Sequence, residues 1–289
     1  MVETYGTHEA RAHYVQETTY GTTPATPSML GLKTAFDVEH NIDPGLLKLR
    51  GIGSRDLDTI KKGLRKPTLK FGYLIPSDAP INFLQYAQNL NSMSIEVLYY
   101  KGIFASATNI ISLLFKGMKI DKVTVQLTDI ESETAVIKVP SVELMGQNAV
   151  TGTAKITGAS YADYVGAVPY DESYVKKDAA TLDRVTDWTW SLENHLKRVP
   201  VIRSTNGELL KYLQERHRDL YGELTFEFES KEEHDEVLAD TEFSLEFGLG
   251  GTNKAVFSNC KWQNVKNVLR IEDLVAVKAP FVAKSIAIS

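Results

Sequence analysis

Six histidines and a single cysteine are the residues of this 289-residue chain best suited to metal or nucleophilic chemistry. His8, His13, His40, His195, His217 and His234 are scattered, and none stands in a His-Glu-x-x-His or comparable ligand spacing. His40 and His195 fall near equivalent ends of two matched strand patterns, where a plain structural role outweighs a shared metal site. Cys260 lies in a strand-like run and reads as a small buried hydrophobe. A lone cysteine leaves neither an internal disulfide nor a cysteine-based zinc site. No nucleophile elbow, Walker loop or dinucleotide fingerprint is present. Gly248-Leu249-Gly250-Gly251 is followed by neither Lys-Ser/Thr nor a helical pattern, so it reads as a hairpin turn. Glu232, Glu233, Asp235 and Glu236 form an acidic run that reads as a solvated helix face. The expectation is a non-enzyme with no cofactor and no metal.

The chemistry that remains lies on strand faces, and those faces come in two sets. Phe36-Asp37-Val38-Glu39-His40-Asn41 resembles Trp190-Ser191-Leu192-Glu193-Asn194-His195. Leu69-Lys70-Phe71-Gly72-Tyr73 resembles Leu224-Thr225-Phe226-Glu227-Phe228, and Ile95-Glu96-Val97 resembles Leu245-Glu246-Phe247. Phe115-Lys116-Gly117-Met118-Lys119 matches Phe257-Ser258-Asn259-Cys260-Lys261, and Lys138-Val139-Pro140-Ser141-Val142 matches Lys278-Ala279-Pro280-Phe281-Val282. The separation drifts down from 190−36=154 to 278−138=140 residues, as small loop insertions in a first copy would produce. The period is far beyond the roughly 20–50 residues of a solenoid. It predicts a doubled, domain-sized unit and a pseudo-two-fold protomer.

Composition agrees with two soluble domains. Hydrophobic residues are 43% and charged residues 24%, and the net charge of −5 argues against a nucleic-acid-binding surface. No apolar run approaches the roughly 20 residues that span a bilayer, and the N-terminus is polar, so a soluble protein of a reducing cytoplasm is expected. Residues 1–30 read as an extended arm, disordered or laid on a partner, because Pro24 and Pro27 hold their predecessors away from helix. Residues 31–143 form the first repeat, 144–186 a linker and 187–289 the second repeat.

Each repeat reads strand, long excursion, strand, short helix and three strands, an antiparallel, mainly β class with one helix per unit. Helices are expected over Ser77–Leu90, with Phe83, Tyr86, Ala87 and Leu90 as its stripe, and over Ser230–Ala239, with Val237 and Leu238. Ser230 and Glu233 suggest a capping box there. Further helical stretches are expected within the excursions, at Ser54–Leu64 and at Asn206–His217 with Asn206 as N-cap. Thr153–Thr157 reads as an edge strand.

Opposite the apolar residues of the matched strands lie Glu39 and Glu193, Glu96 and Glu246, Lys70 and Thr225, and Lys119 and Lys261, with Glu227 joining them in the second copy. An exposed sheet face must be polar for solubility alone. The sharper reading is a continuous, predominantly acidic wall inside a ring, past which DNA slides because like charge repels it.

The arm Thr18-Thr19-Tyr20-Gly21-Thr22-Thr23-Pro24-Ala25-Thr26-Pro27, the element order of each half and the closing run from Leu274 to Lys284 resemble the tail tube (major tail) proteins of tailed bacteriophages and related archaeal viruses. The resemblance implies two tandem antiparallel β-sandwich or barrel units. It implies a virion structural protein, made in the host cytoplasm, that self-assembles into stacked rings forming the hollow tail tube. A doubled member would form trimeric, pseudo-six-fold rings. The residues above become lumen-facing. Excursions Leu46–Lys66 and Pro200–His217 become ring-stacking elements, with Arg50, Arg55, Lys61, Arg203, Lys211 and Arg216 as candidate contacts. Implied partners are further copies of the chain, tail-terminator, tape-measure and baseplate or tail-tip proteins, and DNA in passage, with no membrane anchor. The resemblance covers both a non-contractile tail and the inner tube of a contractile tail or injection machine. The alternative function is a two-domain β-sandwich module binding carbohydrate or protein, for which Tyr161, Tyr164, Tyr170 and Tyr174 could line a surface.

Overall fold

The period-two pattern from Val123 to Leu127 forms the C-terminal end of the longest strand among the described residues. Val123, Val125 and Leu127 are buried there, and Lys122, Thr124 and Gln126 are half-buried on the opposite face. A computed structural model describes residues 4–32, 34–77, 81–107, 109–130, 132, 135–164, 166–268 and 275–289. The first half contains β1 (Ala10–Gln16), β2 (Ser28–Gly31), β3 (Ala35–Asp43), β4 (Leu47–Leu49), β5 (Thr59–Lys61), β6 (Lys66–Leu74), α1 (Asn82–Asn89), β7 (Met93–Tyr100), β8 (Ile110–Leu127), β9 (Lys138–Met145) and β10 (Asn148–Gly152). After β11 (Ser160–Ala162) come β12 (Val175–Lys177), β13 (Ala180–Thr181), β14 (Val185–Glu193), β15 (Lys197–Val199), β16 (Tyr212–Gln214) and β17 (Asp219–Glu227). The chain ends with α2 (Glu232–Ala239), β18 (Phe243–Gly248), β19 (Lys254–Trp262), β20 (Lys266–Val268), β21 (Ala276–Val282) and β22 (Ser285–Ile288). The fold is mainly β, with two short α-helices among the described residues, as the alternation predicts.

The pairings of the first half recur in the second. β3–β6, β6–β9, β8–β9, β7–β8, β1–β7 and β10–β8 have as counterparts β14–β17, β17–β21, β19–β21, β18–β19, β12–β18 and β22–β19, all antiparallel. Left-handed backbone falls at the same places: Gly45 (φ 57°) and His195 (47°), Leu90 (57°) and Asp240 (55°), Gly117 (63°) and Asn259 (52°). The last pair makes a bulge in each half, needing glycine or asparagine because a Cβ crowds left-handed backbone.

Register fixes which residues correspond. Asn41, Thr68, Met145 and Lys119 stand side by side on four neighbouring strands, as do Ser191, Tyr221, Val282 and Lys261. The matches of Ile95 with Leu245 and of Phe115 with Phe257 therefore occupy equivalent positions. The other three are displaced: Glu193 answers to Asp43, Glu39 to Thr189, Lys70 to Glu223, and Val142 to Ala279.

Several expected elements differ. The stretch over residues 1–30 is no free arm among the described residues. β1 lies between β2 and β7, with His13, Tyr14 and Met29 buried, so it completes the sheet. Strands β10 and β12, within the expected linker, likewise complete the two halves. Thr153–Thr157 carries no strand and β10 ends before it. Both excursions carry short hairpins, β4–β5 and β15–β16, in place of helices. Glycines at 51, 53 and 63 disfavour helix in the first, and Asn206 is left-handed (φ 54°), not the extended backbone of an N-cap. Helix α1 buries Phe83, Leu84 and Ala87, whereas residues 78–80 and Leu274 lie outside the described residues. In α2 the stripe fails: Val237 and Leu238 are exposed, and Lys231 occupies the N-cap. Glu233 turns inward to the Arg184 guanidinium instead of closing a capping box.

Candidate assembly surface

One hydrophobic core runs through both halves, including Phe115, Trp190, Phe257 and Phe281, because β14 pairs with the C-terminal part of β8. Trp188, Trp190 and Leu192 stand opposite Leu127, Val125 and Val123, all buried. The sheet β3-β6-β9-β8-β14-β17-β21 is thus continuous across the halves.

On its polar face a registered row of charge crosses six strands: Glu39, Lys70, Glu143, Lys122, Glu193 and Asp219. Lys70 Nζ lies 3.3 Å from Glu143, and the Lys122 ammonium is paired with Glu193 and donates to Tyr221 Oη at 3.0 Å. The Glu193 bond holds the Lys122 ammonium above its ordinary range, with Tyr221 assisting. Burial opposes ionisation of Glu193, but its bonds to Lys122 and Tyr221 prevail and lower its pKa. Thr225 and Glu227 continue the same face of β17, Thr225 opposite Lys278. Lys119 and Lys261 reach its rim. There Lys119 Nζ donates to Leu213 O at 3.4 Å, and Lys261 Nζ pairs with Asp240 at 2.7 Å.

Glu96 and Glu246 do not join this wall. They sit on β7 and β18, beneath tyrosines of the intervening segment: Tyr161 Oη donates to Glu96 Oε2 at 2.6 Å and Tyr174 Oη to Glu246 Oε1 at 2.8 Å. Glu96 is fully buried and also accepts from Ser112 Oγ at 2.6 Å. That removes it from any solvent-facing surface. Nor is the wall as acidic as the glutamates alone suggested, since Lys70 and Lys122 alternate with them. The partners missed in the sequence, Glu143, Lys122 and Asp219, were visible only as polar positions of alternating strands.

The excursions behave differently from each other. The second folds back on the first half, where Leu196, Leu210 and Leu213 cluster with Tyr20, Leu64, Leu90 and Met145. Arg203 is spent within its own loop, donating to Asn206 O at 3.0 Å and Leu209 O at 2.8 Å, and Arg216 donates to His195 O at 3.0 Å. Lys211 is exposed. On the first excursion Arg50, Arg55 and Lys61 are exposed, as are Leu46, Leu47, Leu49, Ile52 and Ile60. The acidic run on α2 is partly engaged, Lys177 Nζ meeting Glu232 and Glu236 at 2.6 Å each.

Among the described residues, His195, His217 and Asp219 bring potential ligand atoms within 4.8 Å of one another. His195 Nε2 lies 2.7 Å from Asp219 Oδ2, so the carboxylate orients the ring at the start of the second excursion. His40 is elsewhere, bonded to Tyr99 Oη at 2.9 Å.

No known family profile matches the chain, and no curated protein matches it. Among solved structures, a chain of the virion of a native gene transfer agent particle is similar at 7% identity and a TM-score of 0.36, with 43% of this chain and 99% of that one covered.

Proposed function

We propose that this chain is a non-catalytic virion structural protein that self-assembles into stacked rings forming a hollow tail tube for viral DNA. The observation that carries the reading is the continuous sheet shared by two halves with the same pairings, which ends in an uncovered strand, β3. A doubled unit of this kind closes as a trimeric, pseudo-six-fold ring, and closure removes the open edge. The registered charge row then lines the channel. Its four acids (Glu39, Glu143, Glu193, Asp219) outnumber its two lysines (Lys70, Lys122), leaving a weakly repelling, non-adhesive wall for a polyanion. Tail-terminator, tape-measure and baseplate proteins would contact the tube in the virion tail.

Negative-stain electron microscopy of the purified protein, with rotational averaging of end-on views, tests this. Rings or tubes of three-fold or pseudo-six-fold symmetry are expected. Compact monomers at every concentration and salt would overturn the proposal and favour a two-domain binding module.

A further inference from the structure

The chain carries one complete junction, between its own halves, and exposes the two unmatched sides of the same junction at its ends. In the complete junction β14 pairs with β8, and the second excursion laps over α1 and the rim of β9. Asn194 Nδ2 donates to Ala87 O at 3.0 Å and Ile120 O at 2.9 Å, and the cluster of Leu196, Leu210 and Leu213 packs with Leu90 and Met145. By register, the donor side recurs as β3 and the first excursion. The acceptor side recurs as β19, β20, α2 and the rim of β21.

Both recurring sides are bare. Val38 and Ile42 are 39% and 38% exposed, whereas their counterparts Trp188 and Leu192 are 3% and 0%. Leu46 is 51% exposed against 6% for its counterpart Leu196. On the acceptor side, Val237, Leu238 and Val282 are exposed where Ala87 is buried and Gln88 and Met145 are partly covered. A cavity of about 760 Å³ lies open along β3, with Phe36, Val38 and Tyr99 in its wall.

The charges match as well. The first excursion carries Lys48, Arg50, Arg55, Lys61, Lys62, Arg65 and Lys66 against only Asp56 and Asp58. The α2 region carries Glu229, Glu232, Glu233, Asp235, Glu236, Asp240 and Glu242, which share ion pairs with Lys177, Arg184, Lys231, Lys261 and Lys284 and so keep an acidic excess of 7−5=2. No such acidic set is needed on α1, which has no charged residue.

We propose that β3 of one copy adds antiparallel to the β19–β20 edge of a second copy in the register of β14 on β8, and that the first excursion clamps laterally over α2 and β21 of that copy. The partner is therefore another molecule of this chain, joined head to tail. The register places Ile42 opposite Val265 and Asn41 opposite Lys266, as Leu192 stands opposite Val123 and Ser191 opposite Thr124. This rests on the self-assembly proposed above, but it reassigns the Leu46–Lys66 excursion from stacking between rings to closure within a ring. Arg50, Arg55 and Lys61 become lateral contacts attracted to an acidic helix, and added salt weakens ring closure.

Oxidative cross-linking in assembled protein tests the register. Opposed antiparallel residues lie about 4.5–5.5 Å apart at Cα, within disulfide reach. The double variant I42C/V265C is expected to give a ladder of covalent multimers on a non-reducing gel, and the displaced pair E39C/V265C none. Rings or tubes that form normally but yield no ladder from I42C/V265C overturn this interface and leave the tube reading intact. Monomers throughout, from the unmodified protein as well, overturn both. Leu238→Asp, at an exposed site, separates lateral from stacking contacts without relying on cysteines. With circular dichroism unchanged, sedimentation should show monomers; free single rings would overturn the lateral assignment.

Discussion

Asn194 is the residue on which the junction between the halves can be weighed. Its side chain is 2% exposed and its Nδ2 donates to the carbonyls of Ala87, in α1, and Ile120, in β8. Asn194→Ala removes both donors and leaves two carbonyls unpaired at a buried site. At about 1–2 kcal/mol for each abandoned acceptor, the loss should be about 2–4 kcal/mol. Urea unfolding followed by tryptophan fluorescence is the assay, because Trp188 and Trp190 lie on β14, the strand that leads directly into Asn194. Hydrogen exchange locates the damage. The amides of Asn194 and Leu196 donate to Asp121 O at 2.7 Å and Asp121 Oδ1 at 2.6 Å and should lose protection first. A loss under about 0.5 kcal/mol with both amides still protected would refute the reasoning, since hydrogen bonds at the Asn194 corner would then not hold the halves together.

His13 is buried against Asp163, and burial lowers its pKa from 6.5 to about 4. The folded chain keeps the ring neutral while the unfolded chain protonates it, so stability should fall as pH drops from about 6.5 towards 4. The slope approaches roughly 1.4 kcal/mol per pH unit, and His13→Gln should flatten it in urea titrations across that window. Gly117 and Asn259 hold equivalent left-handed bulges, but a Cβ at Gly117 would meet Gln147 Cβ at 2.8 Å. Gly117→Ala should cost about 1–2 kcal/mol or more and Asn259→Gly under about 0.5. Equal urea midpoints would disprove the difference. Glu17 accepts Ser94 Oγ, Gly21 N and Gly117 N at 2.8 Å each from a buried position. Glu17→Gln turns an amide donor towards one of those donors and should cost about 1–3 kcal/mol, read as a lowered thermal midpoint.

What was legible in the sequence was local. The stripe of α1, the alternation of β8 and the turn after β18 depend on neighbours a few residues away. The matches at Ile95/Leu245 and Phe115/Phe257 fell in register because a helix end and a bulge punctuate them. The first-strand match slid by four residues for a physical reason: an alternating strand looks the same after any even shift, since the same side chains keep facing the core. Hence Glu39 was set beside Glu193, although its place is that of Thr189. The excursions were misread because their charged and leucine-rich runs have helical spacing, whereas glycine and left-handed asparagine decide for hairpins.

The least legible feature is the one on which the proposed assembly rests. No pattern within β3 distinguishes it from β14, yet one is bare and the other is buried, because burial of β14 comes from β8 of the preceding half. The pairing of β14 with β8 covers one such strand within the chain, whereas the outer side of β3 has no paired strand among the described residues. Sequence bias does mark the two ends after the fact: the first excursion is basic, α2 is acidic, and Leu238 replaces the polar Gln88. Edge strands that face water are commonly blunted by charged residues or proline. Phe36, Val38 and Ile42 are exposed apolar side chains on β3. Apolar side chains on an open strand support the proposed covering partner, and among the described residues the chain's own opposite end offers a complementary register and charge.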